Sequence, residues 1–288
     1  MAASQKKTVL ITGCTPGGIG HSLALTLSRP PYSYHVFATA RTSSSLSALA
    51  DKPNITPLEA DVTDSASIAS LKDTVSAATG GQLDYLINNA GRNYTVPAAE
   101  VDMDEVRLTY ATNVFGVIEL CTAFTPLLVA RSRQTAGQQI GSLAGLMPYA
   151  FGAVYNSTKA ALHSYSDTLR LELEPLGVDV VTVVTGGVKS NIARTKRVLD
   201  PKSFYAPVEQ DYVRRQTHSQ QVGMPNEVYA RRVAKQITAW TRKSIFWEGG
   251  KVWLAWFSIT WLPKWVMNWY MRSQFGLAKL GRAGRKSM

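Results

Sequence analysis

The chain has 288 residues, enough for one large domain or two small ones, and its 45% hydrophobic and 18% charged content is that of an ordinary globular protein. The formal net charge is +11, but ten basic residues and one acid, Glu248, lie from Lys235 onward, and all seven tryptophans fall between Trp240 and Trp269. A basic excess that follows the aromatics argues against a nucleic-acid binder and points to an anionic membrane surface, with a solvated basic tail as the alternative.

In chain order, the pattern alternates strand and helix. The first apolar run, TVLITG (8–13), is β-branched with a glycine stop and predicts a strand, so no signal peptide is expected ahead of it. A helix over 19–28 ends before Pro30 and Pro31. YHVFATAR (34–41) and ITPLEADVT (55–63) are the second and third strands, followed by a helix over 64–78. LDYLINNAG (83–91) is the fourth strand, and a long helix runs over 104–130. A fifth strand precedes Ser142, a helix covers 155–176, and VDVVTVVTGG (178–187) is the sixth strand. Such alternation predicts an α/β fold: a doubly wound parallel sheet with ligands at the carboxyl ends of the strands, the Rossmann fold. Residues 188–224 are polar and Pro-containing and are expected to form an irregular excursion that reads the substrate. A helix over 225–240 closes the catalytic domain, taken as 1–244, and 245–288 is a C-terminal extension. Cys14 and Cys121 stand in unrelated contexts, suggest neither a metal site nor a disulfide, and fit a reducing compartment.

TGCTPGGIGHSLA (12–24) joins the first strand to the first helix. Glycine there lets the backbone turn tightly and approach a pyrophosphate resting on the helix N-terminus. The second strand ends in Arg41 without an acid, which places a guanidinium where it could pair with a 2′-phosphate and favours NADP(H) over NAD(H). In YNSTK (155–159), Tyr155 and Lys159 are four apart and share a helix face. A nearby ammonium favours the phenolate, and Ser142, thirteen residues upstream, could hydrogen-bond the same substrate oxygen. The set suits passing a proton to a carbonyl oxygen while hydride reaches the carbon.

With these motifs in this order, the chain resembles the short-chain dehydrogenase/reductase family over about residues 7–240. The matching text includes the glycine loop, Asp61 in EADVT, NNAG (88–91), Asn113 in TNVFG, Ser142, and Tyr155 with Lys159. The resemblance implies Tyr155 as acid/base, Lys159 as its tuner and a ribose contact, Ser142 as carbonyl orienter, and Asn113 as support for a proton-relay water. It implies that Gly13, Thr15, Gly18, Ile19, Gly20, Asp61, Val62, Asn89, Ala90 and Gly91 line the cofactor cleft. TGGVKS (185–190), with Val188 and Ser190, takes the place of the stretch beside the nicotinamide. Two departures stand out: four residues separate Gly13 and Gly18 where the family's usual form has three, and GQQIGSLAG (137–145) replaces an apolar fifth strand. A dinucleotide-binding protein without chemistry therefore stays as an alternative.

In the extension, Trp253, Phe257, Trp261, Trp265 and Trp269 are each four apart, a slowly turning aromatic stripe if helical. Pro263 and Lys264 interrupt the run, so a kinked in-plane membrane anchor is expected rather than a span. The alternatives are packing on the chain's own body or a homodimer contact. The chain also resembles a narrower fungal group, that of the NADPH-dependent 1-acyldihydroxyacetone-phosphate reductases, which includes tailoring enzymes of terpenoid and polyketide pathways. That resemblance implies a lipophilic ketone or alcohol as substrate, at the cytoplasmic side of the endoplasmic reticulum or a lipid droplet.

Overall fold

A computed structural model describes residues 6–131, 135–193 and 197–283. Strands β1 (Thr8–Ile11), β2 (His35–Ala40), β3 (Ile55–Glu59), β4 (Tyr85–Asn88), β5 (Thr135–Ile140), β6 (Val178–Thr185) and β9 (Ile245–Glu248) form one sheet in the order β3-β2-β1-β4-β5-β6-β9. Every pairing in it is parallel; Val9, for example, lies between Val36 and Tyr85. The order reverses between β1 and β4, which opens a crevice beyond the strands' carboxyl ends.

Strand alternation divides the core between two faces. Val9 and Ile11 point to a layer built with α1 (Ile19–Leu27) and α8 (Asn226–Ile237), where Leu23, Leu27, Tyr229 and Val233 are buried. Leu10 and Phe37 point the other way, onto Ile68 and Leu71 of α3 (Ser65–Thr79) and Leu120 and Phe124 of α5 (Gly116–Arg131). A short helix, α2 (Ser47–Ala50), follows β2. The carboxylate of Asp64 accepts the Ala66 N–H at the start of α3, and Gly80, in the left-handed region, ends that helix. Helix α4 (Met103–Tyr110) runs into α5 through a single π-turn, Ala111–Phe115. Among the described residues, only the run 103–131 is long and apolar enough to cross a membrane, and its buried face is sheet core.

The expected elements are found, with three differences. β5 is a six-residue strand paired on both sides despite its unpromising text, because a parallel ladder is made by backbone groups. The 188–224 excursion is not wholly irregular: it holds β7 (Val188–Lys189), α7 (Glu209–Val222) and the start of β8 (Met224–Pro225). The boundary expected at 245 falls inside the sheet, since β9 pairs with β6 through Val183 and Phe246. Between β5 and β6 in the chain lies α6 (Ala153–Leu173), which carries Tyr155. The extension beyond β9 forms α9 (Val252–Trp261), α10 (Lys264–Gln274) and α11 (Leu277–Ala283). Leu262, extended before Pro263, breaks α9 from α10.

Only the later part of this extension packs deeply on the body. Met271 and Phe275 are buried with Phe151, Val208 and Tyr212. Lys279 pairs with Asp211 of α7 at 2.7 Å, and Arg214 donates to the Gln274 carbonyl. The aromatic stripe stays largely exposed, with Trp253, Trp261, Trp265 and Trp269 each about two-thirds exposed and Phe257 nearly half, although Trp269 also borders the cleft beyond the sheet.

Candidate active site

A cleft of about 1040 Å³ lies beyond the carboxyl ends of the strands, and it gathers most of the residues singled out in the sequence. Gly13, Thr15, Gly18 and Ile19 line it from the β1–α1 turn, and Arg41, Asp61 and Val62 from the ends of β2 and β3. Asn89, Ala90 and Gly91 follow β4, Ser142 follows β5, Tyr155 and Lys159 come from α6, and Val188 and Ser190 from the turn after β6. Gly20 and Asn113 do not line it; both act from behind.

The glycine turn fits a dinucleotide phosphate. Gly13 has φ +74°, and a Cβ there would lie 2.8 Å from the Ala90 Cα. A Cβ on Gly20 would lie 2.6 Å from the Gly13 carbonyl and 2.5 Å from Asn89 Nδ2, so only glycine lets helix and turn meet. α1 has no side-chain cap and no acid in its first turn, which leaves its N-terminal N–H groups for an anion. The Thr12 hydroxyl accepts the N–H groups of Asn89 and Ala90, and Asn89 Nδ2 donates to the carbonyls of Thr12 (2.7 Å) and Gly13. The extra residue in the loop is accommodated from outside: Asn226 donates to the Gly17 carbonyl at 3.0 Å, and Asn191 donates to that of Pro16. Asp61 turns its carboxylate onto the N–H (2.9 Å) and hydroxyl of Thr63, shaping the cleft wall. Arg41 is exposed at the rim.

Asn113 sits in the π-turn, fully buried. Its side chain accepts the Arg92 N–H (2.9 Å) and donates to the Arg92 carbonyl (2.9 Å) and Thr158 Oγ1 (3.1 Å). It thus ties the segment after β4 to α6, one residue before Lys159. A wide turn is a common device for re-aiming a side chain at such a place.

The catalytic group differs in one respect from expectation. Burial pushes the Tyr155 phenol above its ordinary range, and a hydrogen bond from Ser142 and the charge of Arg215 oppose that. Lys159 Nζ lies 5.9 Å from the Tyr155 ring centroid and donates to the Ile140 carbonyl at 3.0 Å. Burial lowers its own pKa to about 8, which still leaves most of the ammonium charged at neutral pH, while Arg215 adds a second positive charge that favours the phenolate. A half-buried phenol at the cleft wall, held protonated, suits an acid that gives its proton to a carbonyl oxygen.

His163, one further turn along the same face of α6, was missed. Its Nε2 accepts the Ser142 backbone N–H at 3.2 Å, and a Cβ on Gly141 would lie 2.3 Å from that nitrogen. Burial, with Lys159 as a lesser cause, lowers its pKa to about 4, so the ring is neutral and can accept. Continuing the four-residue spacing from Tyr155 and Lys159 leads to it. Arg215 and His218 of α7 also line the cleft, as do Leu254, Ser258, Leu262, Val266 and Met267 of the extension. No motif announces these; tertiary packing brings them in.

The comparisons agree with this geometry. Residues 7–199 match the short chain dehydrogenase family. Short-chain dehydrogenase RED1 of Pyricularia oryzae is 36% identical over 287 residues, covering 97% of this chain and 98% of that protein. The NADPH-dependent 1-acyldihydroxyacetone phosphate reductase of Schizosaccharomyces pombe is 40% identical over 208 residues, covering 70% of this chain and 69% of that one. A short-chain dehydrogenase structure from Streptomyces avermitilis superposes with a TM-score of 0.76 at 23% identity, covering 99% of this chain and 100% of that one. With a glycine-cradled crevice, a tyrosine and lysine one turn apart facing it, and relatives matched from end to end, the chain belongs to the short-chain dehydrogenase family of oxidoreductases.

Proposed function

We propose that the chain is an NADP(H)-dependent oxidoreductase that interconverts a ketone and a secondary alcohol on a lipophilic substrate. One observation carries the reading: Tyr155, Lys159 and Ser142 face a cleft whose far wall is apolar and built by the extension. The dinucleotide, when bound, supplies or takes up the hydride. The glycine turn and the N-terminus of α1 hold its phosphates, and Arg41 pairs with a 2′-phosphate, which favours NADP(H). Ser142 orients the carbonyl oxygen, and Tyr155 donates the proton that it receives. Lys159 lends a donor at the same end of the cleft, and Asn113 keeps α6 in place.

The extension has a second role in this reading. Its outward stripe docks on an anionic membrane surface, at the endoplasmic reticulum or a lipid droplet, and the substrate arrives from the lipid phase. Tryptophan favours the headgroup boundary, and the basic residues around it favour anionic lipid. α9 has ten residues, about 15 Å at the usual rise, half a hydrocarbon core of roughly 30 Å. It therefore lies in the surface instead of crossing it.

A tailoring enzyme of a fungal secondary-metabolite pathway is the second reading. The likeness to RED1 runs through the extension, whereas that to the acyldihydroxyacetone phosphate reductase covers 70% of the chain. The test of the common chemistry is Tyr155→Phe. Turnover of a ketone should fall by about 10²- to 10⁴-fold while NADPH still binds; turnover equal to the wild type would refute the assignment.

A further inference from the structure

α7 presents a cation to the substrate half of the cleft that has no acid to neutralise it. Arg215 is 6% exposed and lines the cleft. Its Nε donates to the Ala150 carbonyl at 2.9 Å, and its guanidinium lies 3.7 Å from the Tyr149 ring centroid. Its neighbours Arg214 and Asp211 pair with each other and with the extension, but none of the ion pairs among the described residues includes Arg215. The one carboxylate among the residues lining the cleft is Asp61, beyond β3 at the opposite edge of the sheet. Lys251 lines the same region of the cleft at the foot of α9.

A buried guanidinium is costly unless an anion meets it. Aromatic stacking and one carbonyl fix the plane of this one and leave terminal N–H donors for a forked, oxygen-bearing acid. Beyond it the wall turns apolar, through Leu254, Leu262, Val266 and Met267. We infer that Arg215 is a specificity residue for an anionic amphiphile: a substrate with a phosphate or carboxylate group held by Arg215 and an apolar chain laid along α9 and α10. The inference rests on the ketone–alcohol reading and names the substrate class of that site. Helix α7 then has two tasks, since Asp211 and Arg214 hold the extension while Arg215 holds the acid.

The test is calorimetric titration of the NADPH-loaded protein with octyl phosphate, octanoate and octanol. These share one chain and differ in the headgroup, so the first two separate a phosphate from a carboxylate source. One or both anions should bind at least tenfold more tightly than octanol, and a tenfold rise in salt should weaken the anions alone. In Arg215→Gln the anion-to-alcohol affinity ratio should fall roughly 10- to 100-fold, the worth of a hydrogen-bonded charge pair. Thermal melting checks that the variant is folded. If it is not, Arg215→Lys and Lys251→Gln in turn should each lower the ratio by a smaller factor. Equal binding of all three compounds by the wild type, or a ratio that survives these substitutions in folded protein, would overturn the inference. Failure to reduce any ketone would sink the oxidoreductase reading instead, and leaves the binding result standing.

Discussion

The hydrogen bond from the Ser142 N–H to His163 can be tested through its pH dependence. His163 accepts through Nε2, so it must be neutral, and burial lowers its pKa from 6.5 to about 4. In the unfolded chain the same ring takes a proton below 6.5. Between these values the unfolded state binds more protons, so the stability contributed by neutral His163 is intact above pH 6.5 and is lost as pH falls towards 4. At pH 5 the difference from the unfolded value is 1.5 pH units, worth about 2 kcal/mol. His163→Gln keeps an acceptor and removes the titration. Its urea midpoint should stay near the wild type's at pH 7.5 and fall less at pH 5. His163→Leu leaves the Ser142 N–H orphaned, should cost about 1–3 kcal/mol at pH 7.5 and less at pH 5, where the wild type has lost stability through the ring, and should lower kcat more than it changes KM, because Ser142 drifts. Parallel loss of stability by the wild type and the Gln variant between pH 7.5 and 5 would refute a buried neutral His163.

Two further outcomes are expected. Arg41→Ala should weaken NADPH roughly 10- to 100-fold, the scale of a charge-assisted hydrogen bond, with a much smaller effect on NADH; fluorescence titration measures both, and equal losses would contradict pairing with a 2′-phosphate. Trp261→Ser with Trp265→Ser removes two rings of the stripe that are about two-thirds exposed. It should reduce co-sedimentation with anionic liposomes at least tenfold without lowering the melting temperature, whereas unchanged sedimentation would argue against the docking face.

Much of this architecture can be read directly from the chain. β1, β4 and β6 are short runs of branched residues with clear stops, and the glycine turn and the Tyr155–Lys159 pair carry chemistry at fixed spacing. What escaped notice is long-range. β9 is four residues inside an aromatic tail, too short to give a period of its own, and it is a strand because β6 offers an open edge. α7 lies in a polar stretch whose helical periodicity is weak, and its role depends on the extension folding back onto Asp211. β5 looked unfit for a central position. Its exit is nevertheless secured from α6, where Lys159 holds the Ile140 carbonyl and His163 the next N–H but one, so side chains of a helix compensate for a strand that pattern alone undervalues. Arg215 and His218 have no motif at all, because a cleft wall needs only shape and charge at the right distance.

The break at Leu262 leaves α9 and α10 with two faces that share no residue at their centres. Leu254, Ser258, Leu262 and Val266, four apart, border the cleft, while Trp253, Phe257, Trp261 and Trp265, one position earlier at the same interval, do not line it. The side chains that border the crevice and those of the aromatic row are thus different residues. A duplicated gene could therefore retune what the crevice accepts while keeping the exposed aromatic row that the molecule displays to its surroundings.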